Sequence, residues 1–208
     1  MPSTKTTPPE GGPPRRDDNR RHELIRAAAR LFREKGFEGT TVRDIAGAVD
    51  MRSGSPFYHF ANKHELLLAV MEEGLRLGLQ RIEATLADAA DLPAAERFRR
   101  LVRAQYGVLH DDGADFIPVM LYDWRSLPAD YKRRIIALKD RYDALWQRAI
   151  DDLHAEGRLR ADPKMARLLI LGAINFSSTW YQPRSRAAGR VGLDVLAEET
   201  VRLVLADG

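Results

Sequence analysis

The chain has 208 residues, 44% hydrophobic and 30% charged, which is enough apolar material for a substantial core beneath a charged surface. It has no cysteine, which excludes a disulfide framework and any Cys-ligated zinc or iron–sulfur site. The net charge is +3, and the whole excess falls in residues 1–65, with 12 Lys/Arg against 9 Asp/Glu, while residues 66–208 hold 21 of each.

Residues 1–17, rich in Pro, Gly and Thr, are expected to form a disordered basic arm. The start has no apolar segment of the secretory kind. The longest apolar run, Leu168 to Ile174, is too short to span a bilayer. The expectation is a cytoplasmic protein with no membrane partner. Asp17, Asp18 or Asn19 can cap a first helix, which carries the stripe Leu24, Ala27, Ala28, Leu31 and Phe32 and ends at Gly36. Arg15, Arg16, Arg20 and Arg21 at its start suit either phosphate and minor-groove contact or a solvated helix end.

Residues 40–65 are the most informative stretch. Val42, Ile45, Ala46 and Val49 fall at i, i+3, i+4 and i+7, which predicts a short helix with one buried face, capped by Thr40 or Thr41. Asp50 tolerates the left-handed conformation that a sharp turn needs. The next helix, Arg52 to His59, leads with small hydrogen-bonding residues and a cation. That pattern suits entry into a major groove. The stretch reads as a helix-turn-helix within residues 18–62, with duplex DNA as partner and Ser53, Ser55, Tyr58, His59 and Lys63 as contacts. Phe60 reads as core.

From Asn62 onward, residues 63–208 read as a ligand-binding and dimerisation domain. Asn62 caps a long helix through Leu66, Val70, Leu75, Ile82 and Leu86 to about Ala90. Pro93 starts another, to about Leu109, before an acidic loop at residues 110–113. A short helix covers Phe116–Ser126. Pro128 opens the longest, with the stripe Tyr131, Ile135, Leu138, Tyr142, Leu145, Ala149 and Leu153, stopped by Gly157. Asp162-Pro163 starts the next, apolar nearly all round from Leu168 to Ile174, and a last helix spans Leu193 to Leu205. No segment alternates with period two over strand length. The fold class is all-α with nine helices.

The segments Thr40-Thr41-Val42-Arg43-Asp44-Ile45-Ala46, Gly54-Ser55-x-Phe57-Tyr58-His59-Phe60 and Lys63-x-Glu65-Leu66, with the nine-helix layout, resemble the TetR family of bacterial transcriptional regulators. Two departures stand out: Asp50 where such proteins often have Gly, and Pro56 inside the recognition helix, where it removes an N–H donor. The resemblance implies a homodimeric repressor without cofactor. It implies phosphate contacts at Thr41, Tyr58, His59 and Lys63 and base-facing positions at Arg52, Ser53, Gly54, Ser55 and Phe57. Arg43 completes the expected DNA-binding set.

In the second half, Trp124-Arg125-Ser126-Leu127, Lys139-Asp140-Arg141-Tyr142 and Gly172-Ala173-Ile174-Asn175-Phe176 with Trp180-Tyr181 resemble regulators of lipid and sterol catabolism that respond to acyl-CoA thioesters. The implied partner is a small apolar effector. Candidate contacts are Phe116, Met120, Trp124, Arg125, Tyr142, Trp146, Asn175 and Phe176, although each aromatic also suits an ordinary core. Asn175, in an apolar run, must find a partner in ligand, dimer mate or backbone. Arg125 and Arg141 could meet phosphates or serve in surface ion pairs. A cationic effector facing Asp123 is the rival class. Four aligned residues, Leu193, Leu196, Thr200 and Leu203, with the 168–174 run, predict a four-helix dimer interface.

An enzyme is not expected. His110, Asp111, Asp112 and Asp115 cluster, and His154 lies two residues before Glu156, but neither has the i, i+4 spacing of a helical metal site. The alternative to an effector-responsive regulator is a ligand-independent DNA-binding or nucleoid-type protein using the same head.

Overall fold

A computed structural model describes residues 16–51, 56–111, 115–181 and 191–206. Among them are nine α-helices and no strand: α1 Arg16–Lys35, α2 Val42–Gly47, α3 Pro56–His59, α4 Lys63–Asp88, α5 Ala94–His110, α6 Phe116–Asp123, α7 Ala129–Ala155, α8 Pro163–Trp180 and α9 Leu193–Val204. A 3-10 turn, Trp124–Ser126, extends α6. The all-α reading and the helix order hold.

The helix ends follow their chemistry. Asn62 caps α4 by accepting from the Glu65 N–H at 2.9 Å, and Asp162 caps α8 in the same way through Met165. Gly36 and Gly157, at φ 73° and 68°, supply the left-handed residue after α1 and α7. Asp50, at φ 54°, does this after α2. Two details differ from expectation. α1 already runs from Arg16, so Asp17, Asp18 and Asn19 lie inside it rather than capping it. His110, expected in a loop, is the last residue of α5 and is buried.

Apolar side chains gather in two clusters that share α4. One joins Leu24, Phe32, Phe37, Ile45 and Phe60 of the first three helices and their turns to Leu66–Leu75, Phe116, Val119 and Ile135. The other packs Leu79 and Ile82 with Phe98, Leu101, Trp146, Ile150, Ile170 and Ile174. The core of the head is therefore continuous with the first half of α4, with α6 and with the start of α7. Gly74 permits this, since a Cβ there would stand 2.6 Å from Phe116 Cβ. Any larger residue would separate α4 from α6.

Candidate nucleic-acid interface and effector core

The head is fixed by short-range chemistry. Thr41 caps α2: its Oγ1 accepts from the Asp44 N–H at 3.1 Å, and Asp44 Oδ2 accepts from the Thr41 N–H at 2.8 Å. This reciprocal capping box holds the Asp44 carboxyl below its ordinary value, chiefly through the Thr41 hydroxyl. Thr40 does a different job. It is fully buried, and its hydroxyl donates at 2.8 Å to Gly36 O, with Leu31 O at 3.2 Å, closing the end of α1.

Lys63, expected to meet phosphate, turns inward from the start of α4. Its Nζ donates to Phe37 O at 2.9 Å and Thr40 O at 3.2 Å, and it lies 4.1 Å from the Phe37 ring centroid. Only one of its three N–H groups remains for a phosphate. Tyr58 is 77% exposed, its ring edge-on to His59, and Arg43 is also at the surface. Phe60 is buried under the Arg21 guanidinium, as core. Arg20 pairs with Glu23 at 2.8 Å. Arg52, Ser53, Gly54, Ser55 and Arg15, with the side chains of Arg16 and Phe57, lie outside the described residues.

Two further links tie the head to the bundle. Asp123 Oδ1, at the end of α6, accepts from the Phe37 N–H at 3.1 Å. Arg33 in α1 pairs with Asp115, just before α6, at 2.8 Å. Asp123, a candidate counter-charge for a cationic effector, is thus engaged by the head.

The candidate effector residues fall into three places. Phe116 and Trp124 sit with the head-side cluster, and Met120 touches both clusters. Tyr142 and Trp146 are buried in the second cluster, four residues apart on one face of α7. Asn175, half-buried, accepts from Gln105 Nε2 at 3.5 Å, and Gln105 Oε1 accepts from the Tyr142 hydroxyl. Burial pushes the Tyr142 pKa far up, so it stays a neutral donor. Arg125 and Phe176 are at the surface, and Arg141 pairs with Glu83 at 2.6 Å.

Sequence reasoning missed Gln105 and Ser177 and placed His110 in a loop; all three are buried. Gln105 carried a readable signal, since it lies in register with Phe98, Leu101, Val102 and Leu109 on the apolar stripe of α5. Ser177 donates to Ile174 O at 2.6 Å, so its single proton is spent. His110 Nε2 must then be the donor across their 2.7 Å contact.

A groove of about 570 Å³ between α4, α5 and α9 is lined by Arg81, Arg99, Arg100 and Arg103. It is charge-compensated, because Arg99 pairs with Glu198, Arg100 with Glu96 and Arg103 with Asp194. On the outer side of α8 and α9, Met165, Leu168, Leu169, Phe176, Trp180, Val195 and Leu203 are exposed. Ala166, Ile170, Ile174 and Ser177 form the opposite, buried face of α8. Leu171, Leu193 and Leu196 lean on the chain's own core and Thr200 pairs with the Tyr106 hydroxyl at 2.9 Å, so of the four α9 residues expected at the dimer interface only Leu203 faces outward. No described helix is long and apolar enough to cross a membrane, and the described residues hold no cluster of three metal-ligating side chains.

Residues 24–70 match the bacterial regulatory proteins of the tetR family, and residues 91–207 match the tetracyclin repressor-like C-terminal domain. The chain is 30% identical to the HTH-type transcriptional repressor KstR2 of Mycobacterium tuberculosis, over 85% of this chain and 89% of that protein. Among solved structures, AibR in complex with isovaleryl coenzyme A and operator DNA superposes with a TM-score of 0.79 at 25% identity, covering 89% of this chain and 97% of AibR. The superantigen PfiT superposes with a TM-score of 0.75 at 38% identity, covering 90% and 97%. The chain belongs to the TetR family of bacterial regulatory proteins and is a DNA-binding transcriptional regulator.

Proposed function

We propose that the protein is a homodimeric repressor, held on a palindromic operator and released by an acyl-CoA thioester. The observation that carries the release step is the attachment of the head to both α4 and α6, through Lys63 and Asp123. A shift of either helix must move α2 and α3 with it. The exposed apolar face of α8 and α9 supplies the twofold contact that spaces two recognition helices about 34–36 Å apart or a multiple of it. An effector that prefers a bundle geometry with another spacing lowers operator affinity by its differential affinity for the two states, and by no more.

The repressor role is supported by KstR2, named as a repressor, and the thioester class by AibR, solved with isovaleryl coenzyme A. Thr41, Arg43, Tyr58 and His59 face DNA in this reading, with the base-facing set from Arg52 to Phe57. The test is a titration of acyl-CoA thioesters of graded chain length against the operator complex, followed by fluorescence anisotropy. Release by one thioester, with no response to free fatty acids or lipophilic cations, supports the proposal. Release by lipophilic cations alone, or by nothing, refutes the effector class and leaves the DNA-binding assignment standing.

A further inference from the structure

Three consecutive residues near the end of α8 face three ways. Phe176 points outward and is 65% exposed, with Trp180 one turn further on at 53%. Ser177 is buried and meets His110 of α5 at 2.7 Å. Ser178, half-buried, meets the Tyr122 hydroxyl of α6 at 2.7 Å. The Ser178 hydroxyl already gives its one proton to Asn175 O at 2.6 Å, so Tyr122 is the donor in their contact. One turn of α8 thus touches solvent, α5 and α6 together.

Tyr122 is followed by Asp123, whose carboxylate accepts from the Phe37 N–H of the head at 3.1 Å. Successive residues of a helix point about 100° apart, so α6 offers one side chain to α8 and the next to the head. The helix is short, eight residues, and is held as a unit at its start. There Asp115 pairs with Arg33, and Phe116 lies against Gly74 of α4. The Phe37 carbonyl in turn accepts from Lys63 at 2.9 Å. An unbroken series of contacts therefore runs from the exposed Phe176 turn of α8, through Ser178, Tyr122 and Asp123, to the turn between α1 and α2. Tyr122 is 55% exposed, so its hydrogen bond contributes little to global stability and opens without unfolding the bundle. Its use is positional.

We infer that Tyr122 is a positioning residue that makes the seat of the head depend on the dimer contact: a second copy of this chain, packed on Phe176 and Trp180, fixes the α8 turn that carries Ser178, and Tyr122 and Asp123 pass that constraint to Phe37. The proposal rests on the twofold contact assigned above to the outer face of α8 and needs no effector. Dimerisation then does more than double the number of heads, since each head is fully seated only when its own α8 is covered. A series of contacts shows where coupling can run, and a mutant cycle shows whether it does.

The experiment follows hydrogen exchange of the Phe37 amide by NMR in wild type, Phe176→Glu, Tyr122→Phe and the double variant, with the oligomeric state of each set by sedimentation. The Asp44 amide, held locally by Thr41, serves as the control within the head. In monomeric Phe176→Glu and in dimeric Tyr122→Phe, the Phe37 amide should exchange about fivefold faster than in wild type, the effect of weakening one hydrogen bond. The double variant should exchange no faster than either single one, because both break the same series. Ser178→Ala should match Tyr122→Phe, and the Asp44 amide should stay unchanged throughout. A merely structural role would speed both amides together.

A monomeric Phe176→Glu protein with wild-type exchange at Phe37 overturns the inference and leaves the dimer reading in place. So does wild-type exchange in Tyr122→Phe, or a double variant in which the two effects multiply. A Phe176→Glu protein that stays dimeric overturns the dimer contact on this face and the inference with it.

Discussion

Asp123 Oδ1 accepts a hydrogen bond from the Phe37 backbone N–H at 3.1 Å, which joins the end of α6 to the turn between α1 and α2 across 86 positions of sequence. Partial burial raises the Asp123 pKa above 3.8, against the opposing effect of that hydrogen bond. The folded state therefore holds the Asp123 proton more tightly than the unfolded chain does. Its contribution to stability is fully present below the unfolded value and is lost as pH rises through the folded one.

Asp123→Asn keeps an oxygen for the Phe37 N–H and removes the charge. It should be at least as stable as wild type at pH 7 in thermal melts, whereas Asp123→Ala should lose about 1 kcal/mol. Asp123→Ala should also blunt effector release, because α6 no longer holds the head. An alanine variant released as sharply as wild type would show that α6 is not a coupling path.

Lys63 serves the head before it serves DNA. Lys63→Ala removes two charge-assisted hydrogen bonds and a ring contact, and should destabilise the protein by about 2 kcal/mol in urea denaturation. Operator affinity should fall alike at all sites. Thr41→Ala should cost about 1 kcal/mol through the lost cap. A Lys63→Ala protein of wild-type stability that still loses DNA would make the residue a phosphate contact only.

Phe176 is 65% exposed on α8, away from the chain's own core. Phe176→Glu should give folded monomers by sedimentation, without operator binding. Leu171→Glu is a poorer probe, because Leu171 packs inward and its loss would damage the fold itself. A Phe176→Glu protein that remains dimeric would move the interface elsewhere.

Burial lowers the His110 pKa below 6.5, with Arg33 adding to the shift and Asp111 opposing it. The unfolded chain thus takes up a proton first on acidification. This contribution is present above about pH 6.5 and is lost as pH falls through the depressed native value. The melting temperature should drop from pH 7 to pH 5, and His110→Gln, which can still donate to Ser177, should flatten that dependence. An unchanged slope in the variant would assign the acid sensitivity to other groups.

The helices were legible in sequence because their stripes and caps are local: Thr41, Asn62, Asp162, Gly36 and Asp50 act within a few residues of their partners. The links between regions were not. Nothing local tells that the Lys63 ammonium turns back to Phe37 and Thr40, or that Asp123 reaches the head. Periodicity finds that Tyr142 and Trp146 share a buried face, but the hydrogen-bond chain from Tyr142 through Gln105 to Asn175 appears only when α5, α7 and α8 are brought together. Thr40 and Thr41 were equivalent as caps in sequence, and tertiary packing alone buries the first and exposes the second.

The central claim, a dimeric head-to-operator regulator, is tested most directly by selecting genomic fragments on the purified protein and titrating the best one against salt. One palindrome should be enriched and bound by one dimer, with affinity falling by about a thousandfold or more between ~50 and ~200 mM salt, as six or more phosphate contacts require. Ser55→Ala should change the ranking of sites more than the overall affinity. A pool with no preferred palindrome, or binding by one chain per site with little dependence on salt, would contradict the account.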